Sequence, residues 1–180
     1  QLDLPCNYNK RYYNGIRDSG VTEPPWLTEA RKHIGLREIP GKRHNPTVVN
    51  WGISLGAWWK DDETPWCGTF VAHCLRSAGQ PVPAEWYRAR AWGDYGSLLR
   101  PSRLAPGAIL VFSRGGSGHV GFYLGEDPLY YHVLGGNQRN SVNVMLLEKS
   151  RCIATRWPRG VPVYGGPVQL SGGVVSTDEA

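Results

Sequence analysis

Cys67 is the residue of this chain whose type and placement best suit nucleophilic chemistry. Thr64 is a favoured helix N-cap and Pro65 a favoured first helical residue, so we predict a helix over 64–78 with Cys67 in its opening turn. Backbone N–H groups and the positive end of the helix dipole favour a thiolate there. His119 follows a glycine-rich loop and opens a strand-like run, which makes it the predicted base.

A thiol and an imidazole also need a polar group that orients the far ring nitrogen. Asn137 is predicted to take this role, because it directly follows a strand that should neighbour the His119 strand. Gln138 is the reserve for the same role, since its side chain would face the other way if the strand geometry continued.

The predicted elements that position these residues follow a simple order along the chain, with the helices first and the strands after them. Helices are predicted over 26–34, from a cap at Asn45 to Gly56, over 64–78, and from near 83 to Gly93. Five β-rich runs follow, at 108–112, 119–124, 129–134, 141–147 and 152–157. This order is typical of an α+β domain in which an antiparallel sheet packs against the cysteine helix.

The chain has 180 residues, 41% of them hydrophobic, which suffices for one well-buried core. We predict a domain at 26–160, an N-terminal arm or linker at 1–25 and a C-terminal arm at 161–180. No apolar stretch approaches the roughly 18 residues of a membrane span, so no transmembrane segment is expected. The first 20 residues lack the apolar centre of a signal peptide, and whether a leader preceded Gln1 stays open.

The formal net charge of +5 would favour a polyanionic partner. Nucleic acid, an anionic membrane surface and the carboxylate-rich and phosphate-rich polymers of a bacterial wall are alternatives on charge alone. A solvated basic face without a partner is equally compatible with the composition.

The four cysteines do not form a disulfide scaffold. Cys74 follows Cys67 at i+7 and is predicted to be a buried apolar residue, while a bridge between Cys6 and Cys152 stays open. No Cys-x-x-Cys or His-x-x-x-His spacing occurs, so no metal site and no cofactor are predicted. Two further histidines are interpreted as structural: His73 and His132.

Four segments carry a resemblance to a known family. Trp-Cys-Gly-Thr-Phe-Val at 66–71, Pro-Gly-Ala-Ile-Leu-Val-Phe at 106–112, Gly-His-Val-Gly-Phe-Tyr-Leu-Gly at 118–125 and Leu-Gly-Gly-Asn-Gln at 134–138 are similar to segments of NlpC-type and CHAP-type cysteine peptidases and amidases. The runs at 35–41 and 62–67 further resemble a phage-associated branch. The resemblance spans roughly 26–158 and implies a papain-like fold with Cys67 as nucleophile, His119 as base and Asn137 as orienting residue. CHAP-type enzymes often place a glutamate where this chain has Gly135, so an amide is expected to orient the imidazole.

Many members of that superfamily cut peptidoglycan, so the resemblance implies a hydrolase that cleaves an amide bond of the cell-wall peptide. Endopeptidase action and N-acetylmuramoyl-L-alanine amidase action need the same catalytic atoms. The resemblance therefore implies that the partner is peptidoglycan and not nucleic acid. It also implies that the protein acts outside the cytoplasm. The terminal arms are expected to contact virion or secretion-assembly subunits. The alternatives are a wall-binding or virion structural module that keeps the fold, and a thiol acyltransferase.

Asp62, Trp66, Trp92 and Gln138 are the predicted substrate contacts. Asp62 would grip an ammonium group of a peptide stem, and a solvated helix entry is its alternative. Trp66 precedes the nucleophile and Trp92 lies near a helix end, with core packing as the alternative for both. The run at 113–118 is interpreted either as a plain turn or as a mobile lip of the cleft.

Overall fold

Three helices occupy the N-terminal half of the computed structural model, which describes residues 22–176. Helix α1 is Pro25–Lys32 and helix α2 is Pro46–Leu55, and each has a proline in its first turn. The side chain of Asn45 accepts a hydrogen bond from the N–H of Thr47, as a helix cap does, and Gly56 ends α2 with φ of 96°. The predicted start and end of α2 are therefore confirmed.

Helix α3 is Cys67–Ser77 and begins three residues later than predicted. The N–H of Thr64 donates to Oδ1 of Asp61, so the residues before Cys67 form a separate turn. Trp66 is the N-cap and makes no capping hydrogen bond through its side chain. Because the helix starts later, Cys67 is its first residue.

The predicted helix from near residue 83 to Gly93 is wrong. That segment forms turns and a short 3-10 helix, Ala89–Asp94, because Arg88 has an extended backbone that prevents a continuous helix. The indole N–H of Trp92 donates to the carbonyl of Trp86, which folds the segment back on itself. Two further 3-10 turns occur later, Pro101–Arg103 and Lys149–Arg151.

Six strands form one antiparallel sheet. They are β1 Ser97–Leu98, β2 Ile109–Arg114, β3 Ser117–Glu126, β4 Tyr130–Gly135, β5 Asn143–Glu148 and β6 Cys152–Trp157. Their order across the sheet is β1-β6-β2-β3-β4-β5. The five predicted strands are confirmed with shifts of a few residues at their ends, and the two-residue β1 was not predicted. The predicted α+β class, with the cysteine helix against the sheet, is confirmed.

The core lies between α3 and the sheet. Phe70 of α3 is fully buried and meets Phe122 of β3 edge to face, with ring centroids 6.3 Å apart. Cys74 is also fully buried, as predicted. The helix that begins with Cys67 is thus fixed against the strand that carries His119.

The segment at 168–176 is hydrogen-bonded to the sheet. The N–H of Glu126 donates to the carbonyl of Val168, and the N–H of Ser176 donates to the carbonyl of Leu146. Residues 1–21 and 177–180 lie outside the described part, and so do most of the predicted N-terminal arm and Cys6. The domain limits at 26 and 160 stay predictions. Within the described residues, no helix combines the length and apolarity needed to cross a bilayer.

Candidate active site

Cys67 is buried to 6% exposure at the start of α3, with its sulfur against β3. Burial raises the pKa of the thiol above its ordinary value of 9.0. The backbone N–H groups of Val120, Gly68 and Cys67 and the charge of Arg114 act in the opposite direction, but burial outweighs them. Burial thus opposes the thiolate that the helix start was expected to favour, and attack by this sulfur needs a base to take its proton.

His119 directly precedes Val120 on β3, and the backbone N–H of Val120 acts on the thiol of Cys67, so the same stretch of strand carries the imidazole and contacts the sulfur. The imidazole of His119 is 1% exposed, and its Nε2 lies 2.9 Å from Oε1 of Gln138. The amide nitrogen of Gln138 donates to the carbonyls of Val133 and Asn143 and to Oδ1 of Asn143, at 3.2, 2.9 and 3.0 Å. This network fixes the amide oxygen toward the imidazole, so His119 Nε2 is the protonated nitrogen and donates. The lone pair of the neutral ring is then on Nδ1.

Gln138, the reserve choice for orienting the imidazole, makes the hydrogen bond to His119 that was expected first of Asn137. Asn137 has a left-handed backbone with φ of 57°, so the strand geometry ends before it and the chain turns. Gln138 then points back under β4, where it is fully buried, and its N–H pairs with the carbonyl of Ser141. The alternation used for the prediction does not continue through such a turn.

Two glycines make room for this arrangement. A Cβ atom on Gly135 would lie 2.6 Å from Oε1 of Gln138 and 3.2 Å from Nε2 of His119. A Cβ atom on Gly136 would lie 2.6 Å from Cβ of Phe70. The two contacts at 2.6 Å are closer than a Cβ atom can approach, so the His119–Gln138 pair needs glycine at 135, and the packing of α3 against this turn needs glycine at 136.

Asp62 does not face a substrate. Its side chain is buried at 0% exposure and accepts hydrogen bonds from the N–H groups of Ile39 and Asn45, at 2.9 and 2.7 Å. Its other oxygen lies 2.9 Å from Nδ1 of His44. The prediction that Asp62 grips an ammonium group is therefore wrong, because its acceptor positions already hold the loop before α2.

Trp66 and Trp92 are core residues, 1% and 0% exposed. The indole N–H of Trp66 donates to Oε1 of Glu38 at 2.7 Å, and that of Trp92 to the carbonyl of Trp86 at 3.0 Å. Neither ring lines the cleft at Cys67, so both predicted substrate contacts are wrong. Gln138 is buried beneath His119 and is not a substrate contact either.

A cleft of about 340 Å³ opens beside Cys67. It is lined on one side by the turn before the 3-10 helix and on the other by the β2–β3 turn, through Pro65, Cys67, Tyr87, Arg88, Ala89, Arg90, Gly116, Ser117 and Gly118. Arg90 donates from Nε and Nη2 to the carbonyl of Ser117, at 3.1 and 3.0 Å. This contact joins the two walls of the cleft. Of the run at 113–118, only the last three residues line the cleft.

A larger groove of about 850 Å³ adjoins this cleft and shares Tyr87 with it. Trp58, Trp59 and Trp86 supply its aromatic surface, and Lys60, Asp61 and Thr64 its polar groups. Trp58 is 87% exposed, which is unusual for so large an apolar ring. The sequence prediction missed this groove because it selected Trp66, which precedes the nucleophile, and Trp92, near a predicted helix end, instead of the pair that follows the end of α2.

Part of this chain is similar to a known protein family. Residues 59–137 match the family model of the CHAP domain, a region that runs from Trp59 through α3 and the central strands to Asn137. No curated protein matches the chain. A CHAP domain supports a function of the peptidoglycan hydrolase or amidase type. The region at 59–137 is therefore similar to a CHAP domain, and the α+β fold is compatible with the papain-like architecture of that family.

Proposed function

We propose that the chain is a cysteine hydrolase that cleaves an amide bond of peptidoglycan with Cys67, His119 and Gln138. The observation that carries the proposal is the hydrogen bond from His119 to Gln138 beside a cysteine that begins a helix and lines a cleft. A nucleophile, a base and a group that orients the base are the three parts such chemistry needs. Gln138 takes the role that was predicted first for Asn137.

In the proposed reaction, Nδ1 of His119 takes the thiol proton as the sulfur of Cys67 attacks the amide carbonyl. The negative charge on the carbonyl oxygen is stabilised by backbone N–H groups at the start of α3. The C–N bond then breaks, and the imidazolium gives its proton to the leaving amine. Water, activated by the same imidazole, hydrolyses the thioester to a carboxylic acid and restores the thiol.

The cleft and the aromatic groove suit a branched polymer. We propose that a stem peptide enters the cleft, where Arg88 and Arg90 complement its carboxylates. The neighbouring part of the polymer would then lie over Trp58 and Trp59 in the adjoining groove. Both surfaces meet at Tyr87, so one substrate molecule could contact them together.

Delivery and assembly belong to the same proposal. We place the domain at 26–160 and its action outside the cytoplasm, at the cell wall or periplasm, after secretion or delivery by a phage particle. The arms at 1–25 and 161–180 would contact virion or secretion-assembly subunits. The resemblance at 35–41 and 62–67 supports the phage-associated origin.

The test is mass spectrometry of purified peptidoglycan digested with the full chain, Cys67→Ala and, as a matched control, Cys152→Ala. New amine and carboxylate termini should appear with the full chain and the control and be absent with Cys67→Ala. Termini within the stem peptide would identify an endopeptidase, and a free lactyl carboxylate an amidase. Unchanged products from Cys67→Ala would overturn the catalytic assignment. Wall binding without products from any variant would indicate a structural module, and products joined to an added primary amine would indicate an acyltransferase.

A further inference from the structure

Three potential metal ligands converge on the side of the domain formed by α1 and α3. Oε1 of Glu29 lies 2.9 Å from Nε2 of His33 and 3.3 Å from Nε2 of His73. All three atoms lie within 4.8 Å of one another. We propose that Glu29, His33 and His73 bind a divalent transition metal ion, with Zn²⁺ as the best fit.

The chemistry and the distances both suit such an ion. Two imidazole nitrogens and one carboxylate oxygen form a ligand set that zinc uses in proteins, with bonds of about 2.0 to 2.2 Å. Ligand atoms at the corners of a tetrahedron with bonds of that length are about 3.4 Å apart. The two contacts to Glu29 are already near this spacing, so an ion could enter through small side-chain adjustments.

The two imidazole rings are held in place by Trp51. The ring of His73 stacks on it with centroids 4.8 Å apart and planes at 21°, and the ring of His33 meets it edge to face at 4.8 Å. Trp51 itself is 5% exposed. Rings fixed by packing lose little conformational entropy when they bind an ion.

The site remains reachable from solvent. The side chains of Glu29, His33 and His73 are each about one-fifth exposed, at 20%, 19% and 20%. Lys32, whose side chain is 63% exposed, contacts Oε2 of Glu29 at 2.9 Å. Oε1 of Glu29 therefore faces the two imidazoles, not the lysine. Three protein ligands leave a coordination position for water.

This site is separate from the proposed active site. His73 follows Cys67 by six residues on α3, about 9 Å along the helix axis. The ion would join α1 to the helix that begins with the nucleophile and so stabilise their packing. The sequence pattern alone does not predict this metal site. Glu29 and His33 have the i,i+4 spacing of one helix face, but the third ligand, His73, is 40 residues further along the chain.

The test uses the full chain without an affinity tag, stripped of metal with a chelator and carrying Cys67→Ala so that the active-site thiol cannot bind the ion. Calorimetric titration with ZnCl₂ should give one ion per chain. A Zn²⁺ concentration of about 100 times Kd should raise Tm by roughly 5 to 10 °C. Co²⁺ should bind at the same site and report tetrahedral coordination through its visible absorption.

His33→Gln and His73→Gln should each weaken binding by more than the roughly 10- to 100-fold that loss of an outer-shell partner costs. Lys32→Gln is the matched control on the same helix face and should keep the affinity. If a histidine variant does not melt cooperatively in the presence of chelator, it is not folded and cannot be used. Glu29→Gln then tests the site instead, because it removes the third ligand and should also weaken Zn²⁺ binding. No heat and no Tm shift in the parent would overturn the proposal, and so would unchanged binding in the double histidine variant.

Discussion

Oε1 of Gln138 accepts a hydrogen bond from Nε2 of His119 across 2.9 Å, and the amide nitrogen of the same glutamine is held by three acceptors. The glutamine therefore selects one tautomer of the imidazole. That selection leaves the basic nitrogen of His119 at Nδ1, which the proposed mechanism requires for proton transfer from Cys67.

Replacing Gln138 by alanine should lower kcat by about 10²-fold or more, because the imidazole loses the partner that fixes its tautomer and orientation. Hydrolysis of purified peptidoglycan, followed by release of soluble fragments, measures this. Asn137→Gly is the comparison, since glycine adopts the φ of 57° without strain. Activity that survives Gln138→Ala and is lost in Asn137→Gly would return the orienting role to Asn137.

Gly135→Ala should inactivate the enzyme while the fold persists. The new methyl group would overlap Oε1 of Gln138 and press on Nε2 of His119, so these side chains must shift at a cost of about 1 to 3 kcal/mol. Thermal unfolding and wall hydrolysis should be measured together. Gly93→Ala is the control because a Cβ atom there meets nothing within 4 Å. Full activity in Gly135→Ala would show that the pair tolerates displacement.

Alkylation of Cys67 should keep accelerating above pH 9, because burial raises the pKa of its thiol above 9.0 and only the thiolate reacts. The rate with iodoacetamide can be followed by mass spectrometry of the peptide that contains residue 67. Cys67→Ala identifies labelling at the other cysteines. A plateau already reached below pH 8 would instead indicate a stable thiolate paired with a protonated His119.

Asp62→Asn should destabilise the fold by about 2 to 4 kcal/mol at pH 7, because it places an amide donor among groups that donate to the carboxylate. Burial alone would raise the pKa of Asp62, but hydrogen bonds from Ile39, Asn45 and His44 outweigh it and hold the pKa below its ordinary value. The contribution of this carboxylate is therefore complete above about pH 4, the pKa range of the unfolded chain, and is lost as pH falls through the lower folded pKa.

Urea unfolding of both proteins from pH 3 to pH 7 measures this contribution. The difference between them should be largest near neutral pH and shrink in acid. Asp94→Asn changes an exposed carboxylate and should leave the unfolding curve unchanged. An equal difference at every pH would show that the charge of Asp62 has no part in it.

Trp58→Ala should weaken binding to the wall without loss of stability, since its ring is 87% exposed and lines the aromatic groove. In the Cys67→Ala background, cosedimentation with purified sacculi should show a Kd raised by about 5- to 10-fold, equivalent to roughly 1 to 1.4 kcal/mol. Leu129→Ala changes another exposed apolar side chain, in the turn before β4, and should bind as before. Equal losses in both variants would exclude a specific role for the groove.

Local sequence signals predicted much of the framework. Asn45 with Pro46 marked the start of α2, and Gly56 marked its end, because a side-chain cap, a fixed φ and a left-handed residue are properties of neighbouring residues. The β-rich runs predicted five strands, since the sheet is antiparallel and its neighbours are mostly consecutive in the chain. Cys67 and His119 were singled out on the same local basis.

Contacts between distant residues decided the rest. Trp66 and Asp62 looked available to a substrate, but Trp66 is hydrogen-bonded to Glu38 and Asp62 to the loop before α2. Trp92 is hydrogen-bonded within its own segment, to Trp86, and the fold buries it completely. Burial, which depends on the whole fold, also raised the pKa of a thiol that the helix start alone would have lowered. The sequence thus determined which elements carry Cys67 and His119. Only the tertiary structure decided that Gln138 contacts the imidazole, because the left-handed turn at Asn137 redirects the side chains that follow it.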